Sequence, residues 1–128
     1  MMKKAKDYLD EANAIVRRVT PEEAIQIHAS GQAVFIDVRD SNSLRQTGMI
    51  AGATHVPRGM LELSADPESE YYKPIFKKDA QICIVCGGGL MAAMAGKTLA
   101  EMGYTNVINV GGTNAWKEAG GPTEPYDN

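Results

Sequence analysis

Gln81-Ile82-Cys83-Ile84-Val85-Cys86-Gly87-Gly88-Gly89-Leu90-Met91 is the stretch that organises this chain. Gln81–Val85 reads as a short strand whose continuous apolar run requires cover on both sheet faces. Gly87, Gly88 and Gly89 interrupt it, and a helical stretch follows over about Leu90–Met102, ended by Gly103. Cys86 therefore stands at the carboxyl end of a buried strand and the amino end of a helix. Glycines let the backbone curl so that successive N–H groups point inward as an anion-binding nest. The helix start adds unpaired N–H donors and a partial positive charge. Such a setting favours the nucleophilic thiolate. Cys86 is thus the candidate nucleophile, against the alternative of a small buried hydrophobe beside a turn.

Cys83 and Cys86 have the Cys-x-x-Cys spacing of redox and zinc motifs. Strand geometry argues against both, because residues three apart point to opposite faces. Only Cys86 reaches a helix start. Zinc would need further ligands, and His28 and His55 are the only histidines. Both histidines read as structural, Cys83 reads as core, and no metal or organic cofactor is expected.

Working outward, Ala33–Ile36 and Asn106–Val110 repeat the continuous apolar pattern, and Ala53–Val56 repeats it more weakly. A helix is announced by Thr20-Pro21-Glu22-Glu23, where Thr20 caps, Pro21 takes the first turn and Glu23 completes a capping box. Gly31 stops it. A further helix runs over about Thr113–Ala119. Strands alternating with helices predict an α/β domain, a mainly parallel sheet with helices on both faces. Ligands of such sheets bind beyond the carboxyl ends of the strands. Ala5, Tyr8, Leu9, Ala12, Ile15, Val16 and Val19 recur at helical spacing, so residues 1–19 read as an amphipathic helix packed on a domain of residues 20–128. Ala65–Asp79, polar and holding two prolines, reads as a long surface excursion.

The chain has 128 residues, enough for one domain without disulfide or metal staples. Its net charge of −3 argues against nucleic-acid or anionic-membrane partners. The basic start is followed by no apolar segment, so a soluble cytoplasmic protein is expected.

Several further segments carry a resemblance: Phe35-Ile36-Asp37-Val38-Arg39-Asp40, Gly48-Met49-Ile50-Ala51-Gly52-Ala53 and Val56-Pro57-Arg58-Gly59-Met60-Leu61-Glu62. Cys86-Gly87-Gly88-Gly89, Met102-Gly103-Tyr104 and Gly111-Gly112-Thr113-Asn114-Ala115-Trp116 continue it. In this order and spacing, from about Thr20 to Pro125, the chain resembles the single-domain rhodanese-like sulfurtransferases. The resemblance implies a five-stranded parallel sheet flanked by helices. It implies a cysteine persulfide that takes sulfur from a small donor, thiosulfate or a persulfide, and passes it to cyanide or a thiol, including a protein thiol. Cys86 falls on the nucleophile position, and Gly87, Gly88, Gly89, Leu90 and Met91 on the loop whose amides cradle the persulfide. Asp37 and Arg39 look like structural supports of the same sheet edge, Trp116 like a packing residue, and Arg58 like the nearest cation for the pocket mouth.

The pattern departs in one important place. Active members commonly carry arginine five residues after the cysteine, where this chain has Met91, and serine next, where it has Ala92. A charge-assisted hydrogen bond contributes about 1.5–3 kcal/mol, so its loss weakens donor capture by about ten- to a hundredfold. Weak thiosulfate activity is therefore expected. Ser43-Leu44 and Met49 also stand where an acidic-aromatic pair and a histidine are usual, with Asp40 as a candidate replacement partner for Arg39. Cysteine phosphatases of similar topology place arginine six residues after the cysteine, at Ala92 here, which argues against that chemistry. The reading from another class is a catalytically silent rhodanese-homology module that binds a protein through Leu90, Met91 and Met60.

Overall fold

The computed structural model describes residues 2–126. The elements in chain order are α1 (Ala5–Ile15), β1 (Arg17–Arg18), α2 (Pro21–Ser30), β2 (Ala33–Asp37), α3 (Ser41–Thr47), β3 (Met49–Ile50) and β4 (Thr54–His55). A single 3₁₀ turn, Arg58–Met60, leads into α4 (Leu61–Ala65). Then come β5 (Gln81–Cys86), α5 (Leu90–Glu101), β6 (Asn106–Gly112), α6 (Thr113–Glu118) and β7 (Thr123–Glu124). Five strands form a parallel sheet in the order β1-β6-β5-β2-β4, with β5 central. β3 and β7 form a separate antiparallel pair. Among the described residues, no helix is long and apolar enough to cross a membrane.

Helices cover both faces, as the unbroken apolar runs require. Ile82, Ile84 and Cys86 of β5 pack with Leu61, Ala92, Ala95, Leu99, Phe76 and Tyr104. Cys83 and Val85 face the other way, among Ala24, Phe35, Ile108, Val110 and Trp116. The two cysteines thus lie on opposite faces of one strand. The α2 start is built as its sequence directs. Thr20 Oγ1 accepts from Glu23 N at 3.1 Å, and Glu23 Oε1 accepts from Thr20 N at 2.9 Å. Gly31 closes the helix with φ of 71°. Trp116 seats α6, its Nε1 donating to Pro122 O at 2.9 Å and its ring meeting Phe35 edge-on.

The amino-terminal reading needs correction. The helix ends at Ile15, and the next residues form β1, an edge strand of the main sheet. Val19 N donates to Asn109 O at 3.2 Å, continuing that pairing. Only part of the proposed stripe turns inward: Ala12, Val16 and Val19 are buried, whereas Tyr8 and Ile15 are exposed. β-branched residues flanking two arginines suit a half-exposed strand better than a last helical turn. The segment after α4 also does more than skirt the surface, because it delivers fully buried Phe76 to the core against Tyr104. The short α3, α4, β3 and β7 lie outside what periodicity predicted.

Candidate active site

Parallel pairing brings the carboxyl ends of β1, β6, β5 and β2 to one edge, and Cys86 is the last residue of the central strand. Its Sγ accepts N–H groups from Gly89 at 3.0 Å and Ala92 at 3.3 Å. Ala92 N belongs to the first turn of α5, which has no intrahelical acceptor to spare for it. The loop thus directs backbone donors onto one sulfur. Only Gly89 uses the conformational freedom of glycine, with φ of 94° at the α5 N-cap. Gly87 and Gly88 have ordinary φ, and a β-carbon on either would meet open space.

The loop is held from beneath by β6. Buried Asn109 donates from Nδ2 to Gly89 O at 2.9 Å and accepts at Oδ1 from Gly111 N at 2.8 Å. The ladder runs Ile84↔Asn109 and then Val85↔Gly111, so Val110 is an extra residue in a bulge, and Gly111 takes φ of 85°. A bulge of this kind re-aims the strand end at a site. Gly112 lies so close under the loop that a β-carbon there would overlap Gly87 O. Thr113 Oγ1 reaches Cys86 O at 3.4 Å. Sequence reading passed over Asn109. Its signal was a lone carboxamide within an apolar run, which a doubly covered strand can hold only if both amide ends are bonded.

The supporting pair lies on the neighbouring strand end. Arg39 Nη2 and Nε bond Asp37 Oδ2 and Oδ1 at 2.8 and 3.0 Å, and both side chains are buried. The remaining guanidinium donors go to Thr47 Oγ1 at 2.8 Å and Gly48 O at 3.1 Å. Asp40 does not replace the missing acidic partner. It caps α3 through Ser43 N at 2.9 Å, and that backbone hydrogen bond holds its carboxyl below the usual carboxylate range. A polar cleft of about 170 Å³ opens beside Gly87, walled by Arg39, Gln46, Thr47, Thr113 and Asn114.

Arg58 is not brought to the loop. Its Nη1 pairs with Glu62 at 2.9 Å and its Nη2 donates to Thr98 at 3.1 Å. Thr98 lies about 12 Å along α5 from its first residue, so this guanidinium serves the α4–α5 junction. Leu90 and Met91 are exposed at the start of α5. Cys83 is fully buried, and burial pushes its thiol up to about 12. His28 Nε2 bonds Ala51 O at 2.7 Å and His55 Nε2 bonds Arg39 O at 2.6 Å, both backbone ties.

Residues 20 to 119, which hold Cys86, its loop and every strand of the main sheet but β1, match the model of the rhodanese-like domain. The chain belongs to the rhodanese-like domain family. Among curated relatives, it is 29% identical over 107 residues to the thiosulfate sulfurtransferase GlpE of Actinobacillus succinogenes, covering 83% of this chain and 88% of that protein. Among solved structures, a protein of unknown function from Rhodopseudomonas palustris, described as a possible tyrosine phosphatase, is 42% identical with a TM-score of 0.91. That match covers 97% of this chain and 96% of the other. The polysulfide-sulfur transferase homodimer of Wolinella succinogenes is 26% identical with a TM-score of 0.71, over 96% of this chain and 88% of that one.

Proposed function

We propose that the protein moves sulfane sulfur through a persulfide on Cys86. The observation that carries this reading is the pair of backbone N–H groups directed at Sγ. The thiolate attacks the outer sulfur of a donor. With thiosulfate, the donor S–S bond breaks, its electron pair leaves with sulfite, and Cys86 holds a persulfide anion. An acceptor thiolate or cyanide then attacks the terminal sulfur, and the cysteine thiolate is released. Negative charge stays on sulfur throughout, so fixed amide donors stabilise each state without reorganising, and no metal or organic cofactor is needed for the charge balance.

Met91 bears on the donor. It leaves the first helical turn without the guanidinium that would hold thiosulfate, which favours a less charged or thiol-borne donor. Sulfur loading from thiosulfate compared with an organic persulfide tests this, and a clear preference for thiosulfate overturns it. The mechanism itself is tested by intact-mass spectrometry after donor treatment. A gain of one sulfur is expected, abolished in Cys86→Ser; a sulfur that stays in that variant, on Cys83, refutes the assignment.

The relative described as a possible phosphatase raises a second chemistry. Phosphate transfer asks for a loop arginine, and the position that would carry it is Ala92, buried and committed through its N–H to Sγ. Cys86-dependent turnover of an aryl phosphate would overturn our preference. The exposed Leu90 and Met91, at 60% and 38%, support the alternative of a silent binding module. A Cys86 that resists small alkylating reagents near neutral pH would favour it.

A further inference from the structure

One guanidinium does reach the loop, and it comes from the edge strand β1. The Nη1, Cζ and Nη2 of Arg18 lie 2.6, 2.8 and 2.9 Å from where a β-carbon on Gly89 would stand. Three such similar separations mean that the guanidinium plane lies across the glycine. Nη2 is also 3.1 Å from the corresponding point on Gly111. Two glycines with left-handed φ therefore form a slot, and a side chain at position 89 would evict the guanidinium. Arg18 shares a strand face with Val16, whose methyls press on Gly96 of α5.

The charge in this slot is uncompensated. Arg39 is neutralised by Asp37 and Arg58 by Glu62, whereas Arg18 has no carboxylate partner and donates no hydrogen bond among the described residues. Gly89, against which it lies, donates its N–H to Cys86 Sγ. Ordinary glycine geometry then puts the guanidinium within roughly 8 Å of that sulfur, no farther than one screening length at physiological salt.

We infer that Arg18 supplies the loop with a positive charge at longer range that Met91 does not, and thereby raises the capture of anionic donors above what the loop amides reach alone. The inference rests on the persulfide reading above and deepens it. Arg18 acts on donor capture, not on the breaking of the S–S bond, because it lies against Gly89 and Gly111 and the contacts to Sγ come from backbone N–H groups. At such a separation one unit charge changes the local concentration of a monoanion by about three- to tenfold. A dianion responds by about the square of that factor. A loop arginine would add a direct hydrogen-bonded contact on top of this longer-range attraction, so modest thiosulfate activity and the Arg18 effect coexist.

The test compares two alkylating reagents of the same chemistry and different charge. Cys86 in the full chain is treated with iodoacetate and with iodoacetamide, and sulfur loading from thiosulfate is followed in parallel by intact mass. Arg18→Gln is expected to slow iodoacetate by about three- to tenfold and thiosulfate loading by about ten- to a hundredfold, with iodoacetamide unchanged. Arg18→Lys should restore most of the iodoacetate preference, and added salt should erase it in the parent. If Arg18→Gln slows both reagents equally, or neither, the inference is overturned, and a thermal melt identifies a merely structural loss. If the charge preference follows Arg18 but Cys86 takes sulfur from no donor, the charge assignment is upheld and the persulfide reading fails.

Discussion

Gly112→Ala should disable the site from beneath without touching any group that faces a substrate. Gly112 has φ of −107° and ψ of 154°, an extended backbone that alanine adopts freely. The whole effect therefore comes from one methyl. Its carbon would overlap Gly87 O, and would stand 2.8 Å from Gly87 C and 3.3 Å from Gly88 Cα. Contact at ordinary radii requires the Gly87 carbonyl to move by roughly 1 Å. The two N–H bonds to Sγ, at 3.0 and 3.3 Å, have no such slack. A displacement of this size costs about a hundredfold in a positioned reaction, and over-packing costs about 1–3 kcal/mol of stability. The assay is the rate of sulfur gain at Cys86 by intact mass, with a denaturant melt on the same samples. Gly59→Ala is the control: its β-carbon meets open space and its φ is ordinary, so stability should stay within about 0.5 kcal/mol. Loading within twofold of the parent in Gly112→Ala, with an unchanged melt, would refute the view that β6 seats the loop.

Asn109→Ala should cost about 2–4 kcal/mol in a denaturant melt, because Gly89 O and Gly111 N–H would both be left buried and unpaired; a change below 1 kcal/mol would mean that water replaces the carboxamide. Asp37→Ala should cost about 3–5 kcal/mol, since it strands the Arg39 guanidinium in the interior, and Asp37→Asn should cost less. Met91→Arg should raise thiosulfate:cyanide activity by about ten- to a hundredfold; no rise would show that the rest of the site cannot use a loop guanidinium. Cys83 should stay unmodified under native alkylation at pH 8 while Cys86 reacts, because burial holds its thiol protonated up to about 12. The unfolded chain releases that proton from about pH 9. Stability from this group is thus complete below pH 9 and falls by about 1.4 kcal/mol per pH unit toward pH 12; Cys83→Ala should flatten that alkaline slope, and an unchanged slope would show that Cys83 is not its source.

Legibility followed the reach of each interaction along the chain. The α2 cap was readable because Thr20, Pro21 and Glu23 act within one helical turn. The strand of Gln81–Val85 was readable because apolar residues run through it without a break. The short elements α3, α4, β3 and β7 were not, since five to seven residues make fewer than two helical turns and two residues show no repeated alternation. β1 was misread for a specific reason. Val16 and Val19 fit a helical stripe begun at Ala5, and only the pairing of Arg17 and Arg18 with β6 decides for a strand. At the site, Cys86 and its loop could be found because strand, glycines and helix start are contiguous. Arg58 was misplaced because its partner Thr98 lies forty residues away. Arg18 and Asn109 were missed because each meets the loop only through tertiary pairing.

The arrangement explains why so little of this site is side chain. Both contacts to Sγ are peptide N–H groups, and peptides are supplied by any residue that can hold the path. The demands on residue identity fall instead where the path is tight. Gly89 is fixed by its left-handed φ and by the guanidinium across it, Gly112 by the carbonyl above it, and Asn109 by two backbone groups that no apolar residue could satisfy. Gly87 and Gly88, which face open space with ordinary φ, carry no such demand. Backbone dipoles stabilise an anion once it has arrived, but their field falls off within a turn of helix. Attracting an anion to a chain of net charge −3 takes a full charge at longer range. Arg18 is the guanidinium beside the loop that is left unpaired among the described residues, so on the proposed persulfide reading donor capture and persulfide stabilisation fall to different parts of the chain and can be altered separately.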